Sequence, residues 1–172
     1  LLQSASSAEG VLELPYLPTG EWTDRSRPLL RPALGITLFD ANDVVVAKAR
    51  ALIDSGADFI TFPTDWAELL GIDLDIDCVR EVATVADGRT SPRYAYTAGL
   101  RVELAGERLL LPVVMFCPGM PIPLLGRRGF FDEFLVLIDQ PNLRFFLQRS
   151  LERGGGEGSD GGAEPGLTLA LR

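Results

Sequence analysis

The sequence predicts an all-β fold in a single domain, and three observations carry that expectation. Short apolar runs rich in Val, Ile, Leu, Phe and Thr recur along most of the chain. Turn formers bound several of these runs: Asp40 to Asp43, Ala105 with Gly106, and Gln140 to Asn142. Helix signals are confined to two short places, one after Pro63 and one after Gly126.

A chain of 172 residues suits one core with tails. Residues 1–10 are Ser/Ala-rich without a period and read as a flexible lead-in. Residues 11–150 carry the strand signals. Residues 151–172, beginning "LERGGGEGSDGGAEPG", read as a flexible Gly-rich acidic tail that ends in "LTLALR".

The elements follow in order. "VLELPYLP" and "RPALGITLFD" read as strands, the second closed by "DAND". In "VVVAKARALI" small apolar residues alternate with Lys48 and Arg50, the period of a strand with one wet face. Thr64 is placed to cap a short helix, with Asp65 and Glu68 near its positive end. Trp66, Leu69 and Leu70 share its expected inner face, and Gly71 stops it. "REVATVADGRTSPRYAY" reads as a hairpin with its tip near Asp87 and Gly88, and "RVELAGERLLLPVVMF" as a second through Ala105 and Gly106. "FLVLIDQPNLRFFLQR" forms a third around Gln140, Pro141 and Asn142.

Composition excludes several kinds of chemistry. Sixteen basic residues against 24 acidic ones leave a net charge of −8, a surface that repels nucleic acid and anionic lipid. No apolar run approaches bilayer length, so no membrane partner is expected. Histidine is absent, which removes Ser-His and Cys-His nucleophile pairs and the commonest zinc ligand. Two cysteines, Cys78 and Cys117, make neither a disulfide framework nor a metal cluster, and both read as packed small residues or free thiols rather than a redox pair. Asp73 to Asp77, "DLDID", sets alternate acids on one face of an expected strand but lacks the turn glycine and spacing of a calcium loop, so it reads as a solvated or edge-protecting patch. Neither metal nor cofactor is expected. The chain begins on Leu1, which leaves an upstream targeting segment open; the expected location is cytoplasmic.

One stretch resists a purely structural reading. In "ALIDSGADFITFP" an acid, a hydroxyl and a glycine interrupt an apolar strand. All three types end many strands without any chemical role, but Asp54 sits between Ile53 and Ala57, Phe59 and Ile60, a mostly dry setting in which a carboxylate needs compensation.

These residues resemble the aspartic peptidases of the retropepsin type, the retroviral protease class and its bacterial relatives. The family's hydrophobic-hydrophobic-Asp-Thr/Ser-Gly-Ala run is matched by Leu52, Ile53, Asp54, Ser55, Gly56 and Ala57. Its downstream hydrophobic pair, Gly and Arg are matched by Leu124, Leu125, Gly126 and Arg127, and the "ADGRTSP" hairpin lies between, where a flap belongs. The likeness runs from about Leu30 to about Gln148. It implies a closed, barrel-like β-subunit with a flap hairpin and one or two short helices.

The resemblance also implies roles. Asp54 would be catalytic, and Ser55 and Gly56 would shape the active-site loop. Ala57, Asp58, Asp87, Gly88, Leu124 and Arg127 would line the substrate groove, with Asp58 and Arg127 holding each other. A plain structural ion pair is an equal reading for those two. Two departures stand out: the flap tip offers only Gly88, and Arg128 replaces the Asn or Asp of many relatives.

Hydrolysis by carboxylates takes two, about 3 Å apart and sharing one proton. This chain supplies one Asp-Ser-Gly. The expected function is therefore an aspartic endopeptidase built as a homodimer, with Asp54 of each copy meeting at the axis and a peptide or protein substrate extended across it, active on the acidic side of neutrality. The alternative is a cleavage-restricted or non-catalytic retropepsin-like module for dimerisation or peptide binding.

Overall fold

The computed structural model describes residues 10–21, 28–84 and 90–150. Among them are β1 (Val11–Pro15), β2 (Leu17–Glu21), β3 (Pro28–Arg31), β4 (Ala33–Phe39), β5 (Val45–Ile53), β6 (Thr61–Pro63), α1 (Asp65–Leu69), β7 (Cys78–Thr84) and β8 (Thr90–Tyr96). Then come β9 (Leu100–Leu104), β10 (Glu107–Leu111), β11 (Val114–Cys117), β12 (Leu124–Leu125), β13 (Phe134–Asp139) and β14 (Arg144–Arg149). The fold is all-β, with α1 and a single 3-10 turn at Gln140–Asn142 as the helical pieces among the described residues.

The local chemistry explains the hairpins. Asp40 closes the β4–β5 turn by accepting the N–H groups of Asn42 (2.9 Å) and Val44 (2.8 Å) on one carboxylate oxygen. The Val44 N–H leads the forces that hold its carboxyl below the usual carboxylate range. Ala105 and Gly106 both take positive φ (51° and 84°), the backbone that a two-residue turn between β9 and β10 requires. Leu143, at φ 51°, ends the 3-10 turn between β13 and β14.

The main sheet runs β10-β9-β4-β5-β12-β6-β11-β8-β7, and β1-β14-β13 and β2-β3 form two smaller sheets. Its hydrogen-bonded order is linear, with β10 and β7 at its ends. The barrel-like closure expected from sequence is thus not made by strand pairing among the described residues. β5 keeps the expected alternation toward its end: Lys48 and Arg50 face outward while Ala51 and Ile53 are buried. Its inner face meets one contiguous core that includes Ile36, Leu38, Phe62, Val102, Leu104, Phe116, Leu125, Phe130 and Phe145, all at 1% exposure or less. Phe131, Phe134 and Trp66 join or pack against that core, as aromatics in strand-rich segments are expected to, whereas Phe146 lies on the opposite face of β14 from Phe145. Trp22 lies outside the described residues.

Three local expectations need correction. Thr64 precedes α1 but lends it no side-chain hydrogen bond, because its own backbone is already helical (φ −57°, ψ −32°) and the helix is barely one turn. Leu69 is 55% exposed; Ala67 takes the buried position, and Trp66 and Leu70 pack beside it, since so short a helix presents a narrow inner stripe. Asp73 to Asp77 is a turn, not a strand. Asp73 accepts the N–H groups of Asp75 and Ile76, and Asp77 accepts that of Asp73 (2.8 Å), so the acids serve the backbone.

Candidate active site

The centre of the main sheet is built from chain segments far apart in sequence. β5 and β6 are joined by residues 54–60 yet do not pair with each other, because β12 lies between them. Leu124 and Leu125 run parallel to Leu52 and Ile53, and Leu124 also opposes Thr61 of β6. The inserted strand is only two apolar residues long. Leu125 is wholly buried, worth about 1.5–3 kcal/mol of transfer free energy for such a side chain.

Asp54 is the first residue beyond β5. Its N–H donates to the Leu125 carbonyl (3.1 Å), and its own carbonyl accepts the Ala57 N–H (3.2 Å), which closes a turn over Ser55 and Gly56. One carboxylate oxygen accepts the Gly56 N–H at 2.9 Å. A Cβ on Gly56 would lie 3.1 Å from that same oxygen and press on it, so glycine keeps the carboxylate in place. Asp54 is half-buried while Ser55 and Gly56 are exposed. The mostly dry setting expected for the acid is not met within one copy of the chain, because its apolar neighbours Ile53 and Ile60 turn into the core beneath it.

The return half of the loop is stitched to residues 126–128. The Arg127 and Arg128 N–H groups donate to the carbonyls of Ala57 and Asp58, both at 2.9 Å, and Phe59 bridges Arg128 in parallel. Gly126 is packed so closely that an added Cβ would fall 2.2 Å from the Phe59 carbonyl oxygen. No side chain fits there without moving backbone. The Asp58 carboxylate accepts a hydrogen bond from the Arg127 guanidinium in an ion pair whose side chains are 58% and 62% exposed. At that exposure the pair orients two groups at the loop rim and adds little stability.

Of the residues singled out from sequence, the structure brings together Asp54, Ser55, Gly56, Ala57, Asp58, Leu124 and Arg127 around this one loop. Asp87 and Gly88 lie outside the described residues; the arms leading to them, β7 and β8, pair in unbroken register from Cys78–Tyr96 to Thr84–Thr90. The helical turn expected after Gly126 is a run of hydrogen-bonded turns through Glu133, Asp132 receiving the Gly129 N–H at 3.1 Å. Sequence reading missed the Arg128 guanidinium resting over the Phe59 ring, 5.4 Å from its centroid. It also missed the Pro32 and Pro123 carbonyls that take the Ile53 and Leu52 N–H groups. A proline keeps its carbonyl while lacking a donor, and that is the signal the sequence offered.

The two free thiols, Cys78 and Cys117, are half-buried on different strands, and burial is the main force pushing both thiols up from the usual thiol range. Among the described residues no group of three or more Cys, Asp or Glu side chains is placed to hold a metal. None of the described helices is long and apolar enough to cross a membrane.

The segment that builds this site, residues 39–128 and more than half of the chain, matches the aspartyl protease family. The chain belongs to that family. Comparison with curated proteins finds no sequence match. Among solved structures, a retropepsin-like aspartic protease from Rickettsia conorii is similar over 81% of this chain and 99% of its own, with 19% identity and a TM-score of 0.50. That likeness is one of fold, and it makes this aspartyl protease retropepsin-like in architecture. More distant is the retroviral protease-like domain of Ddi1 from Leishmania major, at 20% identity, 71% and 95% coverage and a TM-score of 0.41.

Proposed function

We propose that the chain is an aspartic endopeptidase that works as a homodimer, with Asp54 and its twin from a second copy flanking the attacking water. One observation carries the reading: a fixed, half-exposed carboxylate at the mouth of a loop braced on both sides, in a chain holding a single Asp-Ser-Gly. Peptide hydrolysis needs a base to take a proton from water and an acid to protonate the scissile carbonyl, and one carboxylate cannot do both at once. A second copy related by a twofold axis supplies the other without further sequence.

In this reading one carboxylate of the pair is ionised and polarises the water, while the other holds the shared proton and gives it to the carbonyl oxygen. The Gly56 N–H holds one carboxylate oxygen in place, and the Leu125 carbonyl fixes the backbone from which the acid projects. An extended peptide lies across both copies beneath the β7–β8 arms, its backbone paired as an added strand. Ala57, Asp58, Leu124 and Arg127 form its walls, joined by Asp87 and Gly88 from the flap.

Incubation with a degenerate peptide library across a range of pH, read by mass spectrometry, tests the proposal. Cleavage on the acidic side that disappears in Asp54→Asn is expected. Peptide binding by the wild type with no cleavage at any pH would replace the endopeptidase with a binding module, and cleavage by a monomer in sedimentation would remove the dimer.

A further inference from the structure

The sheet β1-β14-β13 has one face on the core and one on solvent. Leu12, Leu14, Phe145, Leu147, Phe134 and Val136 point inward, buried or packed against the core. The outward face is apolar as well. Val11, Leu135, Leu137 and Phe146 line a groove of about 350 Å³ with Gln148, and Leu135 and Leu137 are 61% and 65% exposed. The register places Leu135 opposite Gln148, Leu137 opposite Phe146 and Gln148 opposite Val11, so these residues form one continuous patch. A strand face open to water is expected to alternate toward polar residues, and a patch that does not marks a surface with an occupant. The charges of this face gather toward one end, where Arg144 bonds both Glu13 (2.7 Å) and Asp139 (2.8 Å).

We infer that this groove is the docking site of the chain's own segment 167–172, "LTLALR". Its composition fits: Leu167, Leu169 and Leu171 fall on one side of an extended strand, and Thr168, Ala170 and Arg172 on the other. Its tether fits too. β14 itself lines the groove and ends at Arg149, and residues 151–166, rich in glycine, separate it from the leucines. Sixteen residues of Gly-rich chain have a root-mean-square span of about 20–24 Å. β14, at six residues, is about 20 Å long, so the tether reaches back over the whole groove near its commonest extension. A tether matched in this way presents its segment at roughly millimolar effective concentration. The acidic stretch Glu157, Asp160 and Glu164 stays in water and leaves the groove to the leucines.

Hydroxyl-radical footprinting of the full chain tests this. In the wild type Leu135 and Leu137 are oxidised slowly, and in Leu167→Lys/Leu169→Lys/Leu171→Lys their oxidation rises several-fold with no change in thermal midpoint. The reciprocal variant, Leu135→Lys/Leu137→Lys, exposes residues 167–172 to limited proteolysis. Equal oxidation of Leu135 and Leu137 in the wild type and the triple variant overturns the inference. So does protection that grows with protein concentration alongside a heavier sedimenting species, which assigns the groove to a second copy.

Discussion

Replacing Gly126 by alanine is the sharpest probe of how the acid loop is held. A Cβ there would sit 2.2, 2.5 and 2.8 Å from the carbonyl oxygen, carbonyl carbon and nitrogen of Phe59. All three are backbone atoms, so no side chain can swing away. Restoring an ordinary carbon–oxygen separation of about 3.3 Å requires the two segments to part by about 1 Å. That separation stretches the Arg127-to-Ala57 and Arg128-to-Asp58 hydrogen bonds. Overpacking and two weakened hydrogen bonds, less the entropy that alanine removes from the unfolded chain, leave a loss of about 3 kcal/mol. For a chain of this size the melting midpoint falls by about 6–12 °C. Activity at a temperature where the variant is still folded falls further, about a hundredfold, because a displacement of about 1 Å at the reacting groups has that effect. Gly35→Ala is the control: nothing lies within 4 Å of the position its methyl would take, so it melts with the wild type. Calorimetry with a peptide-cleavage assay decides the matter. A Gly126→Ala protein that melts within about a degree of the wild type and cleaves at its rate would refute the close-contact argument.

Other expectations follow from the same geometry. Asp54→Asn keeps an oxygen for the Gly56 N–H, so its melting midpoint stays near that of the wild type while cleavage falls by at least about 10²–10⁴-fold. Arg127→Ala breaks an exposed pair and changes stability by no more than about 1 kcal/mol; a larger rise in KM than in melting shift identifies it as a groove residue. Hydrogen bonds from Arg144, then from Asn142, hold the Asp139 carboxyl below its ordinary range. A depressed folded-state value stabilises the chain above the unfolded value near 3.8, and this stabilisation disappears as pH falls through the folded value. Urea midpoints of the wild type and Asp139→Asn therefore differ at about pH 6 and converge below about pH 3.8; a constant gap at all pH values would contradict the assignment.

What was legible in the sequence was whatever is encoded locally. The alternation through Lys48 and Arg50, the turn at Asp40 to Asp43 and the turn through Ala105 and Gly106 all report the conformation of their own few residues. The run Leu52 to Ala57 and the later Leu124 to Arg127 were readable as two halves of one motif. How they touch was not, since the contact of Gly126 with Phe59 depends on a distance between segments that no spacing reveals. The errors have the same origin. Asp73 and Asp77 alternate as strand residues do, but the side chains cap backbone N–H groups within their own turn, and local hydrogen bonding won over periodicity. Leu69 looked like an inner-face residue because a periodic argument assumes more turns than α1 possesses.

The intrusion of β12 between β5 and β6 bears on when a newly made copy can assemble its acid loop. The aspartate leaves the ribosome well before Leu125, whose carbonyl anchors it. At roughly 5–20 residues per second, the 71 residues from Ser55 through Leu125 take about 4–14 s to synthesise. During that interval the strand that braces the loop does not yet exist, so the order of translation sets the earliest moment at which the loop can take its form.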